Sequence, residues 1–317
     1  MSKIAVQFRK MSKTLYIMPR LKHCRHCGNY SVLWSDQCLN CSKTNRFMPM
    51  AQLSKTSASL SRQRDFLIVG MLSLAGLVLA DSLPGIFLSV AAGLVATVMV
   101  TWLWRRYRLG LENHHARRIV DKEIAAIERG IQLDIEDAFN NEKNGNVKEA
   151  YEKLREVGLF IRDEQIKATK LAYLKRFTLR KDMELELSAL IPRHYSQDFM
   201  DYLKQVSRLS PQLIRSEVFE YVIRYQDQIR AAEGGDELLL AIAGAALRMK
   251  KYLKDYHAFI LPYTERFNRD HMLRLCHLLQ DDDQQLLVLK NKALSLAQLH
   301  YHYDPEFQPF LAGGHSR

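Results

Sequence analysis

The sequence predicts a mostly α-helical protein organised around a helical hairpin that crosses a membrane. Two apolar segments without an internal charge, residues 66–80 and 86–104, are separated by only five residues. From residue 107 onward the chain has helical periodicity and no convincing alternating strand. Four of its five cysteines fall within eighteen residues near the start, which sets a small module apart from the helices.

The positive charge of the chain is concentrated in its first 65 residues. The formal net charge is +11, and this segment contains twelve Lys and Arg against Asp36 and Asp65. Such a segment beside an apolar hairpin can bind anionic lipid headgroups or nucleic acid phosphates, and its position favours the lipid. We expect residues 1–19 to form a basic tail rather than a signal peptide, because they lack a continuous apolar core. Met1, Met11 and Met18 are alternative starts.

Two C-x-x-C pairs, Cys24 with Cys27 and Cys38 with Cys41, are separated by ten residues. Each pair can present two thiolates to one cation, and two pairs complete a tetrahedral site. Because all four ligand positions are cysteines, we predict one structural Zn²⁺ per chain, with a redox dithiol as the alternative. Residues 20–45 resemble the short zinc ribbon that opens many bacterial membrane proteins. The resemblance implies a minimal ribbon, residues 20–46, with two small hairpins.

Residues 47–65 connect this ribbon to the first apolar segment. They are rich in Ser and other polar residues, a composition typical of flexible linkers. We therefore expect the ribbon to be mechanically separate from the helices.

The two apolar segments predict a transmembrane hairpin over residues 66–104. At 1.5 Å per residue they would form helices of about 22 and 28 Å, against a hydrocarbon core of about 30 Å. The second is long enough to span, and the first is short unless its flanks lie at the interfaces. Asp81, Pro84 and Gly85 indicate the turn. Arg residues flank both outer ends, so the positive-inside rule predicts a cytoplasmic-membrane protein with both termini in the cytoplasm.

Small side chains recur four residues apart in the second apolar segment, at Ser89, Gly93 and Thr97. Such a face allows close helix packing, either on the first helix or on another subunit. The second possibility predicts a homo-oligomer, which the isoleucine stripe at residues 124–135 would extend outside the bilayer.

Residues 105–317 predict a cytoplasmic α-helical domain, either a solenoid or an irregular bundle. Gly145 and Asn146 indicate a helix stop and a new start, and Gly234 and Gly235 indicate another. Residues 238–247 are almost entirely apolar but too short to span a membrane, so they predict a central buried helix. Cys276 is expected to be a buried thiol.

Catalytic motifs are missing from the sequence: it has no phosphate-binding loop, dinucleotide-binding fingerprint, nucleophile elbow or zinc-protease motif. We therefore predict a non-enzymatic, membrane-anchored scaffold or adaptor that recruits a cytoplasmic protein partner through its helical domain. An oligomeric pore-forming or channel-like effector is the first alternative. A membrane-tethered nucleic-acid-binding protein is the second, and it is not favoured.

Overall fold

The computed structural model describes residues 3–11, 20–79, 83–280 and 283–311. This part of the chain is mostly helical, with a small antiparallel sheet of three strands. The chain divides into two compact units. The ribbon-hairpin unit is Met11–Ile161, and the C-terminal unit combines the residues before Met11 with Arg162–Arg317. The helical domain that we predicted to run from residue 105 to 317 is therefore divided, because helices α2 (Leu83–Lys143) and α3 (Val147–Val157) pack on each other within the ribbon-hairpin unit.

The sheet of the ribbon-hairpin unit has the order β2-β1-β3. The central strand β1 (Lys22–Cys24) pairs antiparallel with β2 (Tyr30–Ser31) on one side and with β3 (Phe47–Pro49) on the other. Each strand is two or three residues long, so cross-links other than strand pairing must hold the ribbon together.

Helix α1 (Met50–Val78) begins directly after β3 and is continuous. We expected residues 47–65 to be a flexible linker, and they instead form β3 and the first part of α1. The hydroxyls of Ser54, Thr56 and Ser59 donate to backbone carbonyls three or four residues earlier. Because these side chains bond to their own helix, a Ser-rich segment can remain helical.

Helix α2 (Leu83–Lys143) has 61 residues and departs from helical geometry at Glu123, where φ is −112° and ψ is 19°. Among the described residues, one helical stretch, Pro84–Tyr107, is long and apolar enough to cross a membrane. This criterion considers only length and composition. The predicted turn residue Asp81 lies outside the described residues.

Helices α1 and α2 pack antiparallel through small side chains. The Ser89 hydroxyl donates to the Gly76 carbonyl at 3.1 Å. A Cβ added to Gly93 would lie 2.5 Å from Ser73 Oγ, so the two backbones approach closely there. Two members of the predicted small-residue face thus contact α1 of the same chain. The third, Thr97, donates to the Gly93 carbonyl of its own helix at 2.8 Å.

The end of α2 follows the prediction made from Gly145. This residue has φ 83°, a conformation that glycine adopts readily, and its N–H donates to the Glu142 carbonyl. Helix α3 (Val147–Val157) then packs on α2, where Lys153 Nζ lies 2.6 Å from Asp137 Oδ2.

The C-terminal unit contains helices joined by short loops and 3₁₀ turns. Helix α8 (Gly235–Ala246) is buried over most of its length, as the apolar run at residues 238–247 predicts. The helices are α4 (Glu164–Lys175), α5 (Gln197–Leu209), α6 (Ser216–Arg224), α7 (Gln226–Ala231), α8 (Gly235–Ala246), α9 (Lys250–Ile260), α10 (Arg269–Leu278), α11 (Leu287–Tyr301) and α12 (Gln308–Leu311).

Residues 3–10 belong to the C-terminal unit, although we expected them to be part of a separate basic tail. The Ile4 N–H donates to the Arg176 carbonyl, and the Thr178 N–H donates to the Ile4 carbonyl, both at 2.9 Å. The buried ring of Phe8 meets the ring of Phe177 edge-on, with centroids 5.6 Å apart. A parallel bridge and an aromatic contact therefore connect the start of the chain to the segment after α4.

Candidate metal centre

The four cysteine sulfurs of the ribbon lie within 4.8 Å of one another. Cys24 Sγ is 3.8 Å from Cys41 Sγ, and Cys27 Sγ is 3.6 Å from Cys38 Sγ. A tetrahedral site with Zn–S bonds of about 2.3 Å requires sulfurs about 3.8 Å apart. The cluster can therefore hold a metal ion such as zinc, and it is consistent with a zinc ribbon.

The two C-x-x-C turns repeat one backbone pattern. In each turn the fourth residue after the first cysteine donates its N–H to that cysteine's carbonyl: Gly28 to Cys24 at 2.9 Å and Ser42 to Cys38 at 2.8 Å. Gly28 and Ser42 both have positive φ, 72° and 56°. In each turn the first cysteine also donates to the carbonyl five residues later. The sequence spacing thus produces two copies of one turn that face each other across the sulfurs.

The thiols of the cluster differ in their electrostatics. Burial raises the pKa of Cys27, but hydrogen bonds from the Asn29 backbone and the Asn40 side chain lower it more, to about 7. Burial raises the pKa of Cys38 to about 12. A bound cation favours the thiolate at all four positions, since the thiolate is the form that binds metal.

The ribbon docks closely on α2 at Gly130. A Cβ built on this residue would fall well inside van der Waals contact of the Tyr30 carbonyl oxygen. The backbone of β2 can lie against the helix only because position 130 has no side chain. Gly130 is in turn part of the buried face of α2, together with Ile127, Ile131, Asp134 and Ala138.

The buried carboxylate of Asp134 connects β2 to α2. Its Oδ1 accepts from the Ser31 hydroxyl at 2.9 Å, and its Oδ2 accepts from the Val32 N–H at 2.8 Å. Burial raises the pKa of Asp134 to about 6, although these two hydrogen bonds lower it. The contact is therefore specific in geometry but costly for the ionised carboxyl group.

A third contact lies at the kink of α2. The Tyr30 hydroxyl donates to Glu123 Oε2 at 2.6 Å. Burial and the neighbouring carboxylate raise the pKa of Tyr30, so the phenol stays protonated and remains a donor at physiological pH. The ribbon is not mechanically separate from the helices, because Gly130, Asp134 and Glu123 each contact β2 or the residue that follows it.

The sequence identified the four cysteines but missed the residues that hold the ribbon. Gly130 carries a weak signal, since a glycine inside a helix costs stability and can have a packing reason, but Gly110 on the same helix has nothing within 4 Å of an added Cβ. His23 precedes the first pair and His26 lies between its two cysteines, but both are outside the sulfur cluster: the ring of His23 contacts Tyr30, and His26 Nε2 lies 2.6 Å from Lys43 Nζ. Cys276 is buried in α10, as expected, and burial raises its pKa to about 11.

Comparison of the chain with protein-family models, curated proteins and solved structures finds no match.

Proposed function

We propose that the protein is a membrane-anchored scaffold, in which the α1–α2 hairpin fixes a structural zinc ribbon and a helical partner-binding unit at the cytoplasmic membrane. The observation that carries the proposal is the inverted packing of the hairpin. Its small and polar groups, Ser73, Gly76, Ser89 and Gly93, contact one another between the helices. Its large apolar side chains point outward.

The outward side chains are unusually exposed for a soluble protein. Leu67 and Met71 of α1 are 68% and 71% exposed, and Phe87 and Val98 of α2 are 73% and 69% exposed. Contiguous apolar surface of this kind normally contacts lipid or another protein. A bilayer would cover this apolar surface on every side of the hairpin. Two helices are stable in lipid because their backbone polar groups bond within each helix.

The contact between Ile4 and Phe177 supports two crossings rather than one. These residues form a parallel bridge within the C-terminal unit, yet the whole hairpin lies between them in the sequence. If only Pro84–Tyr107 crossed the membrane, the bridge partners would be on opposite sides. In a membrane-spanning hairpin the bridge is therefore compatible with a second crossing, which we assign to the apolar part of α1.

The cations at the open end of the hairpin support a cytoplasmic orientation. Arg62 and Arg64 precede the apolar part of α1, and Arg105 and Arg106 follow that of α2. Because the helices are antiparallel, all four belong to one end. This is the end that the positive-inside rule assigns to the cytoplasm.

The ribbon would be held away from the headgroups by the length of α1. Met50 precedes Phe66 by sixteen residues, so about 24 Å of helix separates the ribbon from the apolar segment at 1.5 Å per residue. This exceeds the physiological Debye length of about 8 Å. In this proposal the lipid contacts are made by the arginines that flank the hairpin, and the ribbon cations remain available to a partner. Zinc bound by four thiolates leaves no open coordination position, so its role is structural.

Recruitment can be tested directly. A protein that cross-links to the C-terminal unit in cells should move from the membrane to the soluble fraction when residues 66–104 are deleted. It should stay at the membrane when they are replaced by an unrelated membrane hairpin. The scaffold proposal fails if no cross-linked protein changes fraction. Conductance of the purified chain in liposomes would favour a pore, and salt-dependent nucleic acid binding would favour the second alternative.

A further inference from the structure

Three arginines of the C-terminal unit converge from separate elements. Arg215 lies directly before α6, Arg248 lies between α8 and α9, and Arg274 is on α10. The Arg248 guanidinium donates through Nη2 to the Ile214 carbonyl at 2.8 Å, next to Arg215. Arg274 Nη2 donates to the Arg248 carbonyl at 3.3 Å. We call Arg215, Arg248 and Arg274 the arginine cluster.

Two members of the cluster are held by backbone carbonyls. Arg248 Nε donates to the Ala245 carbonyl at 3.2 Å, and Arg274 Nε donates to the Leu247 carbonyl at 2.7 Å. Each guanidinium has five N–H donors, so these contacts leave donors unused on both side chains. Held in this way, the planar groups lose less conformational entropy when they bind a carboxylate.

The like charges of the cluster repel one another. Burial lowers the pKa of Arg248, Tyr252 raises it, and the charges of Arg274 and Arg215 lower it, so that the net shift is downward. Several other arginines of the unit are paired; for example, Arg269 contacts Asp304, and Arg208 contacts Glu237. Within the part of the chain that the structure describes, no carboxylate forms an ion pair with a member of the cluster.

Capping of α8 explains only part of this arrangement. The end of a helix favours a nearby cation, and Arg248 and Arg274 contact its last carbonyls. A single cation would suffice for that purpose, and Arg215 donates no hydrogen bond to α8 in the described structure. Helix capping does not explain the third cation, nor why no described carboxylate forms an ion pair with the cluster.

We propose that the arginine cluster binds an acidic segment of the protein partner, through fork-shaped hydrogen bonds from the guanidiniums to its carboxylates. This inference rests on the scaffold proposal and names the class of its partner. Met249, 49% exposed between Arg248 and Lys250, provides an apolar contact beside the cations. The expected ligand is therefore a segment in which acidic residues neighbour an apolar one. A nucleic acid is less suited, because three guanidiniums cover a small footprint compared with the phosphate arrays of its backbone.

The test uses the full-length chain in mild detergent and a fluorescein-labelled peptide of alternating Glu and Leu. Fluorescence anisotropy should detect binding of this peptide and little binding of the matched peptide with Gln in place of Glu. Arg215→Gln and Arg274→Gln should each weaken binding about ten-fold, since each removes charge-assisted hydrogen bonds. Arg208→Gln is the control, because its exposed side chain is already paired. Circular dichroism should show that the variants are folded, and Arg215→Gln is informative even if Arg274→Gln is unstable.

Equal affinity for the Glu and Gln peptides would overturn the proposal, as would equal affinity of Arg215→Gln and the unaltered chain for the Glu peptide. The proposal is also overturned if the two variants bind single-stranded DNA more weakly than the unaltered chain does but bind the Glu peptide equally well. The recruitment experiment separates the two proposals. A partner that still depends on the hairpin while the cluster variants have no effect leaves the scaffold intact and refutes this site. Arginine-dependent binding of the Glu peptide without any recruited partner supports this site and refutes the scaffold proposal.

Discussion

At the scale of single residues, the docking of the ribbon on α2 depends on Gly130, which has no side chain. Gly130→Ala would add a Cβ that overlaps the Tyr30 carbonyl, so β2 must move away from α2. We expect a loss of about 1–3 kcal/mol in stability, typical of overpacking, and faster loss of zinc to a chelator. Gly110→Ala, also in α2, is the control, because its added Cβ would have nothing within 4 Å. That variant should retain zinc like the unaltered chain, and equal zinc release from both variants would contradict the docking argument.

The carboxyl group of Asp134 gives the ribbon contact a pH dependence. Its pKa is raised from 3.8 to about 6, so the folded chain binds this proton more tightly than the unfolded chain does. The free energy of unfolding should therefore fall as the pH rises between about 4 and about 6, by roughly 3 kcal/mol when complete. Asp134→Asn removes the ionisation, and its amide oxygen can still accept from the Val32 N–H while its NH₂ group donates to the Ser31 hydroxyl.

Hydrogen exchange of the Val32 amide can measure this effect, after correction for the intrinsic rate. Protection should decrease from pH 5 to pH 7 in the unaltered chain and change less in Asp134→Asn. The cysteines titrate in both proteins, so the comparison isolates position 134. Parallel profiles would show that the carboxyl group does not ionise in this range.

A buried ion pair joins α4 to the segment before α5. Lys170 Nζ lies 2.8 Å from Glu186 Oε2, with the two side chains 2% and 7% exposed. Lys170→Met leaves a buried charge alone and should cost about 3–5 kcal/mol, whereas adding Glu186→Leu should restore much of the stability. Lys175→Met on the same helix breaks an exposed pair with Asp198 and should cost less than about 1 kcal/mol. Thermal unfolding of the four proteins tests this ranking, and equal losses at positions 170 and 175 would refute it.

The residues that could be predicted from the sequence are those with a local signature. The spacing of the two cysteine pairs predicts a metal site, and the residue type of Gly145 predicts the end of a helix. Asp134 has no such signature. On a charged helix it looks like a solvated acid, and its role depends on a strand about one hundred residues earlier in the chain.

At the scale of elements, the hairpin is held by the approach of α2 to α1. Gly93→Leu places a large side chain where a Cβ alone would be 2.5 Å from Ser73 Oγ. We expect this variant to separate the helices and lower the thermal stability of the chain in mild detergent. Gly70→Leu is the control, because its added Cβ would have nothing within 4 Å. The prediction fails if both variants melt at the same temperature.

The small-residue face also bears on the homo-oligomer that we predict from the sequence. Ser89 and Gly93 are occupied by α1, so a second subunit would need another face of the hairpin. The sequence could not distinguish these cases, because a face of small residues is the same whether its partner is in the same chain or in another. For the same reason composition misassigned residues 47–65. This Ser-rich stretch is helical because it continues from β3 and the ribbon. Its composition alone does not contain those contacts.

At the scale of the whole molecule, the bridge between Ile4 and Phe177 predicts the topology in the membrane. Residues on both sides of the hairpin meet in one compact unit, so the proposed membrane hairpin should return the chain to the side on which it started. Reporters fused before Met1 and after Arg317 should therefore both report the cytoplasm. A reporter inserted between Leu79 and Leu83 should report the opposite side.

The bridge and the flanking arginines make two independent predictions, and each can fail separately. The bridge predicts that both ends of the chain lie on the same side of the membrane, whatever the orientation. The flanking arginines predict which side that is. Replacing Arg105 and Arg106 with Gln and adding two Lys between Leu79 and Leu83 should weaken or invert the orientation but leave the two ends together. If the unaltered chain reports opposite sides for its two ends, only one segment crosses, and the bridge cannot form in the membrane.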